Sequence, residues 1–110
     1  MSARKMTGDQ LPLPGSGGRV KRQPESVTLA AIRAWLTKRG HDVTRHQQGM
    51  GSRKGFPDLT ALRDGRTVYI EVKTAFGELS PYQREFRDVC EAHGGTYIVA
   101  RGIDDLAGLE

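Results

Sequence analysis

Cys90 is the only cysteine in the chain. That excludes an internal disulfide and a zinc site built from cysteines. Long apolar runs are also missing: no stretch approaches the ~20 residues of a membrane helix. The N-terminus has no apolar core of a secretory signal, so the expected location is cytoplasmic. No glycine-rich loop suited to cradling a nucleotide is present, and internal repeats are absent. His41, His46 and His93 stand at no metal-ligand spacing, and they read as surface or strand-end residues.

What remains fits one domain. The chain has 110 residues, 36% hydrophobic and 27% charged, with a net charge of +4. The charge is unevenly placed. Arg4, Lys5, Arg19, Lys21 and Arg22 face only Asp9 in residues 1–24, and the 12 basic and 12 acidic residues beyond them cancel. Residues 1–23, rich in Gly, Pro and Ser and without apolar periodicity, read as a disordered basic tail ahead of a folded domain at 24–110. Such a tail either binds nucleic acid by counterion release or stays solvated.

The periodicity predicts a helix from Pro24 or Glu25 to Arg39. Its apolar stripe is Leu29, Ile32 and Leu36, widened by Val27, Ala31 and Trp35. A short strand is expected at His41–His46, then a loop at Gln47–Gly55. Strands follow at about Phe56–Arg63 and Arg66–Thr74. Ser80 caps a second helix with Pro81 at its first position and Gln83 completing a capping box. Tyr82, Phe86, Val89 and Cys90 are its expected buried stripe. A buried strand at Thr96–Ala100 and a short final helix at Ile103–Leu109 close the chain. The order helix, strand, hairpin, helix, strand, helix gives an α/β fold with a mixed sheet of about four strands flanked by helices.

The chemistry gathers in the hairpin. Asp64-Gly65 suits a two-residue type I′ turn, which pairs Arg63 with Arg66. The same register sets Asp58 directly opposite Glu71 in a non-hydrogen-bonded pair, with Cα atoms about 4.5 Å apart. Lys73 shares the face of Glu71. Leu59, Ala61, Val68, Ile70 and Val72 form the other, core-facing side. Like charges directly opposite destabilise a sheet. A divalent cation bound between oxygen ligands offsets that, and Lys73 alone offsets part of it. Glu25 falls on the core-facing stripe of the first helix. It reads either as a supporting acid of this site or as a favourable charge at a helix N-terminus. Tyr69, on the reactive face, either meets DNA or packs across the strands against Thr60.

Gly55-Phe56-Pro57-Asp58-Leu59, Tyr69-Ile70-Glu71-Val72-Lys73 and Gly77-Glu78-Leu79-Ser80-Pro81-Tyr82-Gln83, with Gly94-Gly95 and a closing strand, resemble the VRR-NUC domain. This is the virus-type replication-repair nuclease branch of the PD-(D/E)xK superfamily. The resemblance spans roughly Glu25 to Leu106. It implies a restriction-endonuclease-like core and cleavage of DNA that depends on magnesium or manganese, with no other small-molecule cofactor. Short stand-alone members come from phages and bacteria, and they resemble homodimeric resolvases of branched DNA such as four-way (Holliday) junctions. By position, the resemblance makes Asp58 and Glu71 metal-binding acids, Lys73 the catalytic lysine and Glu25 the acid of the first helix. Gln83 matches the glutamine after the motif, and the Val72 carbonyl becomes a further metal ligand. The capping box alone also accounts for Gln83. Arg53, Lys54, Arg84 and Arg87 flank the reactive face as candidate phosphate contacts or as ordinary charged surface. Two further readings stay open: a DNA-binding module that keeps the fold without cutting, and a small-molecule phosphohydrolase or structural protein.

Overall fold

The computed structural model describes residues 23–49 and 51–110. The tail expected at 1–23 therefore lies almost wholly outside the described residues. Six regular segments and a terminal turn of helix follow in the expected order: α1 (Glu25–Lys38), β1 (Asp42–Arg45), β2 (Leu59–Arg63), β3 (Arg66–Val72), α2 (Pro81–Ala92), β4 (Thr96–Ala100) and a 3-10 helix (Ile103–Leu109). The strands form one mixed sheet in the order β1-β2-β3-β4. The first three are antiparallel neighbours, and β4 runs parallel to β3 after the α2 crossover.

The hairpin turns where its chemistry demands. Asp64 and Gly65 have φ of 53° and 77°, the left-handed pair of a type I′ turn. Arg63 pairs with Arg66 and Leu59 with Ile70, in the expected register. Alternation then divides the sheet into two faces. Leu59, Ala61, Val68, Ile70 and Val72 pack with Leu29, Ile32 and Leu36 of α1 and with Leu106 and Leu109 of the 3-10 helix. Full burial of each large aliphatic contributes about 1.5–3 kcal/mol. The stripe of α1 is narrower than expected: Val27 and Ala31 are exposed and Trp35 only half-buried. Those two side chains lie round the helix from Leu29, Ile32 and Leu36, the row that meets the sheet.

The other face is covered by aromatic rings. Phe86 of α2 stands edge-on to Phe56 at 5.1 Å and to Tyr69 at 5.3 Å, and lies tilted against Tyr97 at 6.1 Å. Tyr69 is thus a packing residue, opposite Thr60 in register. The buried stripe of α2 is rotated from the expected one. Tyr82 is 51% and Val89 39% exposed, whereas Phe86 and Cys90 are buried. Gln83 and Arg87, both half-buried, complete the i, i+3, i+4, i+7 row. A polar residue displaces Tyr82 from that row because Gln83 has a polar partner beneath it.

His41 is also not a surface residue. It is buried, and its Nε2 meets the Leu109 carbonyl at 3.1 Å, tying β1 to the 3-10 helix. His46 pairs with the Thr60 hydroxyl and stands edge-on to Phe56.

Candidate active site

Asp58 sits one residue before β2, and its two ends are used separately. Its carbonyl accepts from the His46 N–H at 2.8 Å. Its carboxylate Oδ2 accepts from the Val72 N–H at 2.8 Å. The register explains the second bond. Carried past Leu59–Ile70, it sets Asp58 opposite Glu71 and Pro57 opposite Val72. Pro57 and Val72 would form a hydrogen-bonded pair, exchanging two bonds. Proline has no N–H to give, so the ladder ends there. The Asp58 side chain takes the Val72 N–H, and Pro57 offers no N–H to the Val72 carbonyl.

Glu71 is the penultimate residue of β3 and is 3% exposed. Its Oε2 accepts from Gln83 Nε2 at 3.0 Å and lies 4.0 Å from Lys73 Nζ. Its Oε1 is buried and has no hydrogen-bond partner among the described residues. Burial, then the nearby Asp58 carboxyl, push the Glu71 pKa up to about 8. Lys73 opposes that rise and Glu25 adds to it. Two carboxyls so placed hold a proton between them at neutral pH or exchange it for a cation.

The orientation of Gln83 is fixed locally. Ser80 Oγ accepts from the Gln83 N–H at 3.2 Å, and Gln83 Oε1 accepts from the Ser80 N–H at 2.8 Å. The Ser80 N–H is only a donor, so the amide oxygen must face it. The amide NH2 is left for Glu71. The cap and the site contact are two ends of one side chain.

The loop before Asp58 lies against the same helical turn. Gly55 has φ of 80°, and a Cβ there would stand 2.3 Å from the Tyr82 carbonyl oxygen and 2.8 Å from the Gln83 nitrogen. Only glycine tolerates both conditions. The first residue of the Gly-Phe-Pro-Asp run thus seats the strand entry on α2, the second joins the aromatic cluster, and the third ends the ladder.

The sequence profile of the VRR-NUC domain matches residues 14–104. The chain belongs to the VRR-NUC family. Among the solved structures that share its fold are two at 21% identity. One, titled VRR_NUC domain, has 21% identity and a TM-score of 0.67, and the match covers 77% of this chain and 91% of that one. The other, titled VRR_NUC domain protein, has 21% identity and a TM-score of 0.66, covering 81% and 86%. No curated protein matches. The profile begins ahead of the boundary expected at residue 24.

Within this VRR-NUC chain, Asp58, Glu71, Lys73 and Gln83 come together. Glu25 does not close on them. It is exposed in the first turn of α1 and reaches Glu71 through its charge alone. Among the described residues, no three His, Cys, Asp or Glu side chains gather into a metal-ligating group. The basic residues split. The Arg53 guanidinium lies 4.9 Å from the Phe86 ring centroid and Lys54 Nζ 5.2 Å from that of Tyr82. Arg84 and Arg87 lie on α2, with Arg84 donating to the Leu79 carbonyl at 2.8 Å.

One neighbour is absent from the sequence reading. Tyr97 lies on the Glu71 face of β4, and its buried hydroxyl has no partner among the described residues. Burial and then the Glu71 charge push its pKa up, with Arg87 opposing. A tight turn fixes register, but β4 is reached through a helix. Sequence therefore gives the strand without saying which of its residues face the site.

Proposed function

We propose that this chain is a metal-dependent DNA endonuclease that hydrolyses phosphodiester bonds, selecting branched DNA such as four-way junctions. The observation that carries the proposal is the Glu71 carboxyl set near that of Asp58, with its buried Oε1 lacking a partner among the described residues. An acceptor with no donor, inside a pair of acids, fits magnesium or manganese, which favour oxygen ligands. Asp58, Glu71 and the Val72 carbonyl would hold the ion, and Glu25 would act from outside through its charge. Such an ion lowers the pKa of bound water and neutralises charge on the phosphate.

The protein's own side chains supply the rest. The Gln83 NH2 holds the Glu71 carboxylate in one orientation. Lys73 brings a positive charge to the half-buried edge of the pair, where it stabilises negative charge developing on the phosphate. The Val72 N–H locks Asp58 in place. Pre-set donors and acceptors of this kind avoid reorganisation during the reaction. A module that only bound DNA would have no use for a buried acid pair.

Symmetric cutting of a junction needs two active sites, which a two-fold homodimer provides. Arg53, Lys54, Arg84 and Arg87 hold phosphates in this reading, with the basic residues of 1–23 adding further contacts. The test is cleavage of a synthetic four-way junction against linear duplex of the same sequence, in magnesium and in manganese, with Asp58→Ala as control. Cutting of the junction in preference to the duplex, lost in the control, is the expected result. No cleavage in either metal removes the proposal.

A further inference from the structure

The second basic feature lies beyond the acid pair, on the β4 side of α2. Three arginines, Arg84, Arg87 and Arg101, line a cavity of about 460 Å³ together with Leu79, Val99 and two acids, Glu78 and Asp105. This is the size range of ligand sites, about 300–1,000 Å³. Arg101 follows β4 directly, and sequence reasoning gave it no role. Asp105 is not its counter-ion by side chain: Asp105 Oδ2 accepts from the Arg101 backbone N–H at 2.7 Å. Among the described residues the Arg101 guanidinium has no acidic partner. Arg87 is paired with exposed Asp88 at 3.1 Å, a surface pair that exchanges readily.

The cavity also abuts the site. Val99, in its wall, is the register partner of Glu71, and neighbouring strands lie only about 4.8 Å apart. Leu79 and Arg84 bracket Ser80 and Gln83 in the chain. No aromatic ring is in the lining, and the guanidinium forks suit bidentate contact with phosphate. The apolar members, Leu79 and Val99, suit the carbon face of a sugar.

We propose that Arg84, Arg87 and Arg101 form a sequence-independent groove for the phosphodiester backbone of one DNA strand, leading away from the acid pair. This rests on the endonuclease reading and adds to it a direction for the strand and a new contact residue.

The experiment is fluorescence anisotropy of the full chain on labelled junctions of two unrelated sequences, in calcium, across a salt series. Arg101→Gln should weaken binding equally on both sequences and make the log affinity against log salt slope shallower by about 0.9. Arg84→Gln added to it should subtract a similar amount, and Arg101→Lys should keep most of the slope. Arg33→Gln, on the helix across the sheet, should change neither. An unchanged slope in Arg101→Gln while the wild type binds and cuts DNA overturns the groove alone. A loss confined to one sequence overturns the backbone assignment. A wild type that binds no DNA overturns the endonuclease reading, and the groove with it.

Discussion

Gln83 holds Glu71 from a helix cap: its amide nitrogen lies 3.0 Å from Glu71 Oε2 while its amide oxygen accepts from the Ser80 N–H at 2.8 Å. Stability and site geometry therefore meet in one residue, and two substitutions separate them. Ser80→Ala removes the hydroxyl but keeps the backbone N–H that orients Gln83. It should cost about 1 kcal/mol of stability and leave manganese affinity near wild type. Gln83→Ala should lower that affinity about 10–100-fold, the usual effect of losing a residue that orients a ligand. Calorimetric titration beside thermal melting reads both. Equal metal affinity in the two variants would reduce Gln83 to a cap.

Asp58 and Glu71 should bind a divalent cation jointly. Asp58→Ala or Glu71→Ala should abolish manganese binding in calorimetry, since each leaves a single carboxylate. Wild-type titration curves in both variants would remove the metal site from this end of the hairpin.

The raised pKa of Glu71 makes a signed prediction for the metal-free protein. Its folded value, about 8, lies above the ordinary carboxyl value of 4.5. Between these the folded state binds more protons than the unfolded state, so stability falls as pH rises. In EDTA the melting temperature should decline from about pH 5 to pH 8. Glu71→Gln should flatten that decline, and manganese should reverse it by taking the place of the proton. A wild-type profile already flat in EDTA contradicts the shared-proton account.

Lys73→Ala should keep DNA affinity in calcium and lose most cleavage in magnesium. Removing one preorganised charge from a developing anion costs on the order of 10²–10³ in rate. A gel shift paired with single-turnover cleavage measures each part. Cutting at near wild-type rate would make Lys73 a strand lysine that only offsets the acid pair.

Gly55→Ala should destabilise by well over 1 kcal/mol, since it adds a Cβ at positive φ and drives it into the α2 backbone. Urea unfolding tests this. Retained stability would mean that the loop lifts from the helix at little cost.

Local chemistry made much of this legible. The Asp-Gly turn set the register of β2 and β3, and with it the meeting of Asp58 and Glu71. The Ser-Pro-x-Gln cap set the start of α2. The illegible parts depend on how α2 lies on the sheet. Tyr82 is the stronger apolar candidate by composition, yet Gln83 takes the inward row because its partner is a buried acid. Arg101 and Tyr97 carried no signal, because a strand reached by a crossover helix has no turn to set its parity. His41 looked polar and terminal. Only the return of Leu109 to β1 explains its burial.

The hairpin also keeps its two ends apart. The acid pair stands at the open end and Asp64-Gly65 at the closed end, six residues along each strand, or roughly 20 Å at the rise of an antiparallel strand. The turn faces solvent and shares no contact with the cap, the aromatic cluster or the arginine groove. It is therefore the natural place for a fluorophore or an affinity tag carried on an exposed side chain that leaves the two turn residues in place. There an addition meets water instead of the substrate, and the chemistry at the far end continues undisturbed.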